Sequence, residues 1–172
     1  LKELVRAKCE GRNCCPLIEL NMTLAELNQG HIVETAALAR NLGLDYFQLS
    51  LGKFTTPDLA ARSRREFKRE FGLDPRFYEA FVRDTSGMSP QLIAAQIAEV
   101  KAMWGSRYKQ IPSRSLRFDL ERYFREPAAC INPRPCLDPW LTLQVMPNGD
   151  VVFCEDFADL PVGNVKEQHP LD

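Results

Sequence analysis

The chain has 172 residues, with 22 Lys+Arg set against 23 Asp+Glu for a formal net charge of -1, so no whole-chain basic field exists to gather nucleic acid or anionic lipid. With 45% hydrophobic and 26% charged residues, the composition is that of an ordinary globular protein whose length suits one domain or slightly more. Apolar stretches such as 91–104 are regularly interrupted by polar residues and fall far short of the ~18 uninterrupted apolar residues of a membrane span. No signal segment is visible, and neither a nucleic acid nor a membrane is expected as a partner. Six cysteines, Cys9, Cys14, Cys15, Cys130, Cys136 and Cys154, in a chain with this apolar fraction do not make a disulfide-stapled scaffold; a reduced, cytoplasmic setting is expected.

In chain order, residues 1–8 form the tail of a helix with Leu1, Leu4 and Val5 on one face, followed by a loop over 10–13. Residues 16–23 alternate, with Ile18, Leu20 and Met22 on one face and Glu19, Asn21 and Thr23 on the other, and predict a strand. Asn28 is placed to cap a helix running to Leu42, whose buried stripe is Ile32, Ala36 and Ala39 and whose stop is Gly43. A second strand follows over 45–51, with Phe47, Leu49 and Leu51 alternating against Tyr46, Gln48 and Ser50. Strand, helix, strand is the grammar of a parallel α/β sheet. Each strand thus has one apolar face for crossover helices and one polar face. In a closed or partial barrel that polar face lines the lumen and puts Asn21, Thr23, Gln48 and Ser50 near a ligand; in a half-exposed sheet it faces water.

From Thr56 to Phe124 the pattern is helical, with starts marked at Thr56-Pro57, Asp74-Pro75 and Ser89-Pro90. The helix after Ser89 buries Ile93, Ile97, Val100 and Trp104, and a shorter one buries Leu116, Leu120 and Phe124. The basic run 62–70 is interleaved with acidic residues and lacks an aromatic ladder, so it is read as a solvated helix face. The proline-rich stretch 127–139 places a boundary near Glu126, dividing the chain into 1–126 and 127–172. Beyond it residues 140–146 alternate, Asn148-Gly149 signals a hairpin, and 151–153 return as the partner strand.

Three cysteines belong to this last region, in the order Cys130-x5-Cys136-x12-Gly149-x4-Cys154. If the hairpin loop is two residues long, Cys154 lies opposite Leu143, at the end of the ribbon where the loop holding Cys136 arrives. Thiolates converging on a rigid turn suit zinc or an iron-sulfur cluster, although such a site usually takes four ligands. The alternative is small buried core residues. Adjacent Cys14 and Cys15 point apart and, with Cys9, are read as core or loop cysteines; His31 and His169 are read as surface histidines.

The run Cys130, Cys136, Pro139-Trp140, Pro147-Asn148-Gly149-Asp150-Val151, Cys154 and Pro161-Val162-Gly163-Asn164-Val165 resembles the opening of the SPASM auxiliary-cluster domain of radical S-adenosylmethionine enzymes. Its C-x9-15-G-x4-C core is met by Cys136, Gly149 and Cys154. The segment 18–52 also resembles the later strands of the radical SAM barrel. The resemblance implies an α/β fold made of the last strands of a partial (β/α)6 barrel with a helical segment, followed by a small β-hairpin domain. It implies that Cys130, Cys136 and Cys154 ligate an auxiliary 4Fe-4S cluster with a fourth cysteine from further along. It also implies that Glu19, Asn21, Thr23, Tyr46, Gln48 and Ser50 lie near S-adenosylmethionine or substrate. In the family a catalytic 4Fe-4S cluster cleaves S-adenosylmethionine, and the 5′-deoxyadenosyl radical abstracts a substrate hydrogen.

The C-x3-C-x2-C signature of that catalytic cluster is absent, since Cys9-x4-Cys14-Cys15 has the wrong spacing. The C-x2-C-x5-C-x3-C run of a second auxiliary cluster is absent too. No catalytic residue is therefore assigned. The start at Leu1 and the end at Asp172 just past the motif support the expectation of a fragment that lacks activity alone. Its parent would be an Fe-S oxidoreductase or a peptide- or protein-modifying enzyme, draw electrons from a flavodoxin or ferredoxin, and carry S-adenosylmethionine on its own 4Fe-4S cluster. The unpaired strand edges of such a fragment predict self-association. The rivals are a zinc-stabilised or a metal-free α/β interaction module without enzymatic activity.

Overall fold

A computed structural model describes residues 1–10, 16–112, 119–129 and 137–169. The expectations for Cys14, Cys15, Leu116, Cys130 and Cys136 lie outside these described residues. Two compact units divide the chain, one comprising Leu1–Lys53 with Thr85–Ile131 and the other Phe54–Asp84 with Asn132–Asp172.

The first unit opens with helix α1 (Lys2–Glu10) and strand β1 (Glu19–Thr23). The Asp45 carboxylate joins them, accepting from Lys8 Nζ at 2.5 Å and from the Ile18 backbone N–H at 2.7 Å. The lysine bond, then the backbone bond, hold the Asp45 pKa below its usual value. Helix α2 (Ile32–Asn41) leads to β2 (Tyr46–Ser50), and α4 (Pro90–Trp104) to β3 (Tyr108–Ile111). The three strands are parallel in the order β1-β2-β3, with Asn21 beside Gln48 and Gln48 beside Lys109. The core is Ile32, Ala36 and Ala39 of α2 and Ile93, Ile97, Val100 and Trp104 of α4, packed with Phe47 and Leu49. The expected stripes of α2 and α4 and the alternation of β2 are thus borne out. Helix α5 (Leu120–Arg125) buries Leu120 and Phe124.

Two expectations fail here. Helix α2 begins at Ile32, not after Asn28, because the Asn28 side chain is used within a preceding 3-10 turn. It accepts from the Ala25 N–H at 2.7 Å and donates to the Thr23 carbonyl at 2.9 Å. The open amides of α2 are met instead by the buried Gln96 of α4, whose Oε1 accepts from the N–H groups of Ile32 and Val33. The second failure is β3, which interrupts the stretch expected to be helical. Its residues put Tyr108 and Gln110 on the helix-covered face and Lys109 and Ile111 on the other, so each face mixes polar with apolar and the alternation signal cancels.

The second unit begins with α3 (Pro57–Phe71), capped by Thr56 Oγ1 accepting from the Leu59 N–H and stopped at Gly72 in the left-handed conformation. The expected start at Asp74-Pro75 yields only a 3-10 turn over Phe77–Phe81. Asp74 does not cap it; its carboxylate is held instead by the Arg64 guanidinium, Nη2 to Oδ2 at 2.6 Å. The amides of Arg76 and Phe77 bond to Asp159 instead.

Further on come a short α6 (Asp138–Leu141), β4 (Gln144–Val145), β5 (Asp150–Val152) and β6 (Gly163–Asn164), forming an antiparallel sheet in the order β4-β5-β6. The strand expected from Trp140 therefore starts only at Gln144. The hairpin loop holds three residues, not two: Met146 donates to the Asp150 carbonyl at 2.8 Å and Gly149 donates to the Met146 carbonyl at 2.8 Å. A two-residue loop would require Pro147 to donate to Asp150, and proline has no N–H. The register moves by one, and Gln144 faces Val152.

Candidate functional site

The two candidate regions fall in different units. On the three-stranded sheet, the parallel register places Glu19, Asn21 and Thr23 on the same face as Tyr46, Gln48 and Ser50. The helices cover the opposite face, and all six residues are exposed or half-exposed. Strand β3 adds Lys109 and Ile111 to the polar face, and neither was named from the sequence. Lys109 pairs with the Glu19 carboxylate, and its Nζ stands 4.2 Å from the centre of the Tyr46 ring, so three adjacent strands contribute to one cation–π and ion-pair cluster. Nearer the carboxyl ends, Ser50 Oγ donates to Asn21 Oδ1 at 3.1 Å. The face thus carries hydroxyl, amide, carboxylate and ammonium groups in register, which suits a polar ligand. Lys109 was missed because nothing local marks a four-residue strand after a long helix.

In the other unit, Cys154 stands two residues past the end of β5 as a free, half-buried thiol. Its backbone is extended, and its carbonyl accepts from the Phe157 N–H at 3.0 Å, closing the 3-10 turn Glu155–Phe157. The turn is anchored: the Phe157 ring lies 5.4 Å from that of Phe67 and 5.9 Å from that of Tyr78. The Tyr78 hydroxyl donates to the Ala60 carbonyl at 2.9 Å, and burial pushes its phenol above the usual range. On the other side of Cys154, Val151 and Val152 are buried.

The sequence motif around Asn148 and Asn164 has a structural role. Asp150 accepts from the side chains of both asparagines, and its N–H donates to Asn148 Oδ1 at 3.1 Å. The Lys166 N–H bonds Asn164 Oδ1 at 2.9 Å. The hairpin loop, β5 and β6 are thereby tied together. Among the described residues no group of three or more His, Cys, Asp or Glu side chains is arranged to hold a metal; Cys130 and Cys136 lie outside them. The sulfur donor of Cys154 is of the soft kind that suits iron-sulfur ligation. No helix among the described residues is long and apolar enough to cross a membrane.

Residues 136–172 match the family model of SPASM, described as an iron-sulfur cluster-binding domain. No curated protein and no solved structure matches the chain.

Proposed function

We propose that residues 127–172 hold an auxiliary 4Fe-4S cluster through Cys130, Cys136 and Cys154, and that the chain serves as the auxiliary-cluster-bearing part of a radical S-adenosylmethionine enzyme acting on a peptide or protein. The observation that carries this reading is the match of residues 136–172 to the iron-sulfur cluster-binding domain. The anchored position of Cys154, a free thiol between β5 and the 3-10 turn, fits it. When bound, such a cluster supplies electron transfer or an iron site for substrate ligation. The residues around it keep the thiol in place: Phe157 fixes the turn that follows Cys154, and the Asn164–Asp150 bond holds β5, which precedes it, to β6. In the first unit, helices on one face and polar groups on the other are what a barrel segment requires, and Glu19, Asn21, Thr23, Gln48 and Ser50 then face S-adenosylmethionine or substrate.

Anaerobic reconstitution with ferrous iron and sulfide tests the cluster. Iron and acid-labile sulfide should bind together, with visible absorbance, to the wild type and to Cys9→Ala. Cys130→Ala, Cys136→Ala and Cys154→Ala should each lose them. Stoichiometric colourless zinc would sink the reading in favour of a zinc-stabilised module, and no bound metal would leave a metal-free one.

A further inference from the structure

Helix α3 and the segment after it enclose a groove of about 550 Å³ within the second unit, a size typical of ligand sites. Its floor exists because Ala60 and Ala61 stand where the same helical stripe elsewhere carries Arg64, Arg65 and Lys68, with Asp74 and Glu79 across from them. The charges are not equivalent. Arg64 is committed, holding Asp74 through two bonds and standing 3.7 Å from Glu79. The Asp74 carboxyl is accordingly pulled down to about 2, so the wall stays charged. Arg65 and Lys68 also line the groove, neither of them within ion-pair distance of a carboxylate among the described residues, and Lys68 only adds its field to the lowering of Asp74.

An occupant must therefore bring negative charge to Arg65 and Lys68 and hydrogen-bond donors to the Glu79 side. A peptide does both, through an acidic side chain and its backbone N–H groups. A single-stranded nucleic acid does not, since its backbone offers no N–H donors to the Glu79 side and no aromatic ring lines the groove to stack a base. We propose that this groove binds an extended peptide segment bearing Asp or Glu. The proposal goes beyond the cluster reading and does not depend on it, because none of the groove residues is a cysteine.

Fluorescence anisotropy on the full chain, both metal-free and reconstituted, tests it with a dye-labelled peptide of alternating Glu and Ala. The Glu peptide should bind with an affinity that falls as salt rises, and a matched Gln peptide should bind about tenfold more weakly or worse. The double variant R65E/K68E should lose about tenfold or more. Ala61→Trp, at an exposed helix position, should fill the groove and block binding. Both variants should keep the wild-type circular dichroism spectrum and iron loading. The proposal is overturned by equal binding of the Glu and Gln peptides, by no binding of the Glu peptide at low salt, or by folded variants that bind like the wild type. A single-stranded oligonucleotide that binds as well as the Glu peptide would overturn it in favour of nucleic acid.

Discussion

Tyr123 couples α5 to the loop at the carboxyl end of β2, its hydroxyl donating to the Gly52 carbonyl at 2.6 Å. Burial pushes its phenol up from 10.0 to about 12, against a smaller downward pull from Lys53. The folded state thus keeps a proton that the unfolded chain releases near pH 10. The resulting stability is fully present below pH 10 and is lost as pH rises through about 12. Urea midpoints measured on the alkaline side should fall more steeply for the wild type than for Tyr123→Phe, which also loses about 1 kcal/mol at neutral pH with the hydrogen bond. Parallel curves for the two proteins would show that this phenol titrates alike in both states.

At the scale of elements, periodicity carried as far as each element's own side chains decide it. The stripes of α2 and α4 and the alternation of β2 were legible because burial repeats at the period of the backbone. Starts and registers were not, because partners distant in sequence set them: Gln96 for α2, Arg64 for the fate of Asp74, Asp159 for the turn at Phe77. Pro147 is the exception, since its missing N–H was readable and excludes the two-residue loop. The three-residue loop instead puts Gly149 at a φ of +94°, where an added Cβ would stand 2.8 Å from Asn164 Oδ1. Gly149→Ala should therefore cost about 1–2 kcal/mol, and amide exchange should quicken at Met146 and Val162, which bond to Asp150 and Val151 across the hairpin. Gly30→Ala, with open space around it, should leave both unchanged. Unaltered exchange in Gly149→Ala would mean that the hairpin end tolerates a different loop.

For the whole molecule, the cysteine and glycine spacing of residues 130–154 was readable because it is a local pattern, and the family match to 136–172 overlaps it from Cys136 onward. The joining of α3 and its following turn with the C-terminal segment was not readable, since Phe67 and Phe157 lie 90 positions apart and meet only in the folded unit. The parallel sheet has a consequence at this scale. Among the described residues β1 and β3 pair on one side only, leaving backbone donors and acceptors open along two edges. Leu17 beside β1 and Ile111 at the end of β3 are exposed as well, so no charge guards either edge at those positions. A second copy can add β1 to β1 about a two-fold axis, which makes the contact self-complementary and closed. Light scattering should accordingly show a molar mass that rises with protein concentration. Leu17→Lys with Ile111→Lys should return the chain to a monomer at little cost in stability, because both side chains already face solvent. A wild-type chain that stays monomeric at high concentration would show that the open edges do not pair between copies.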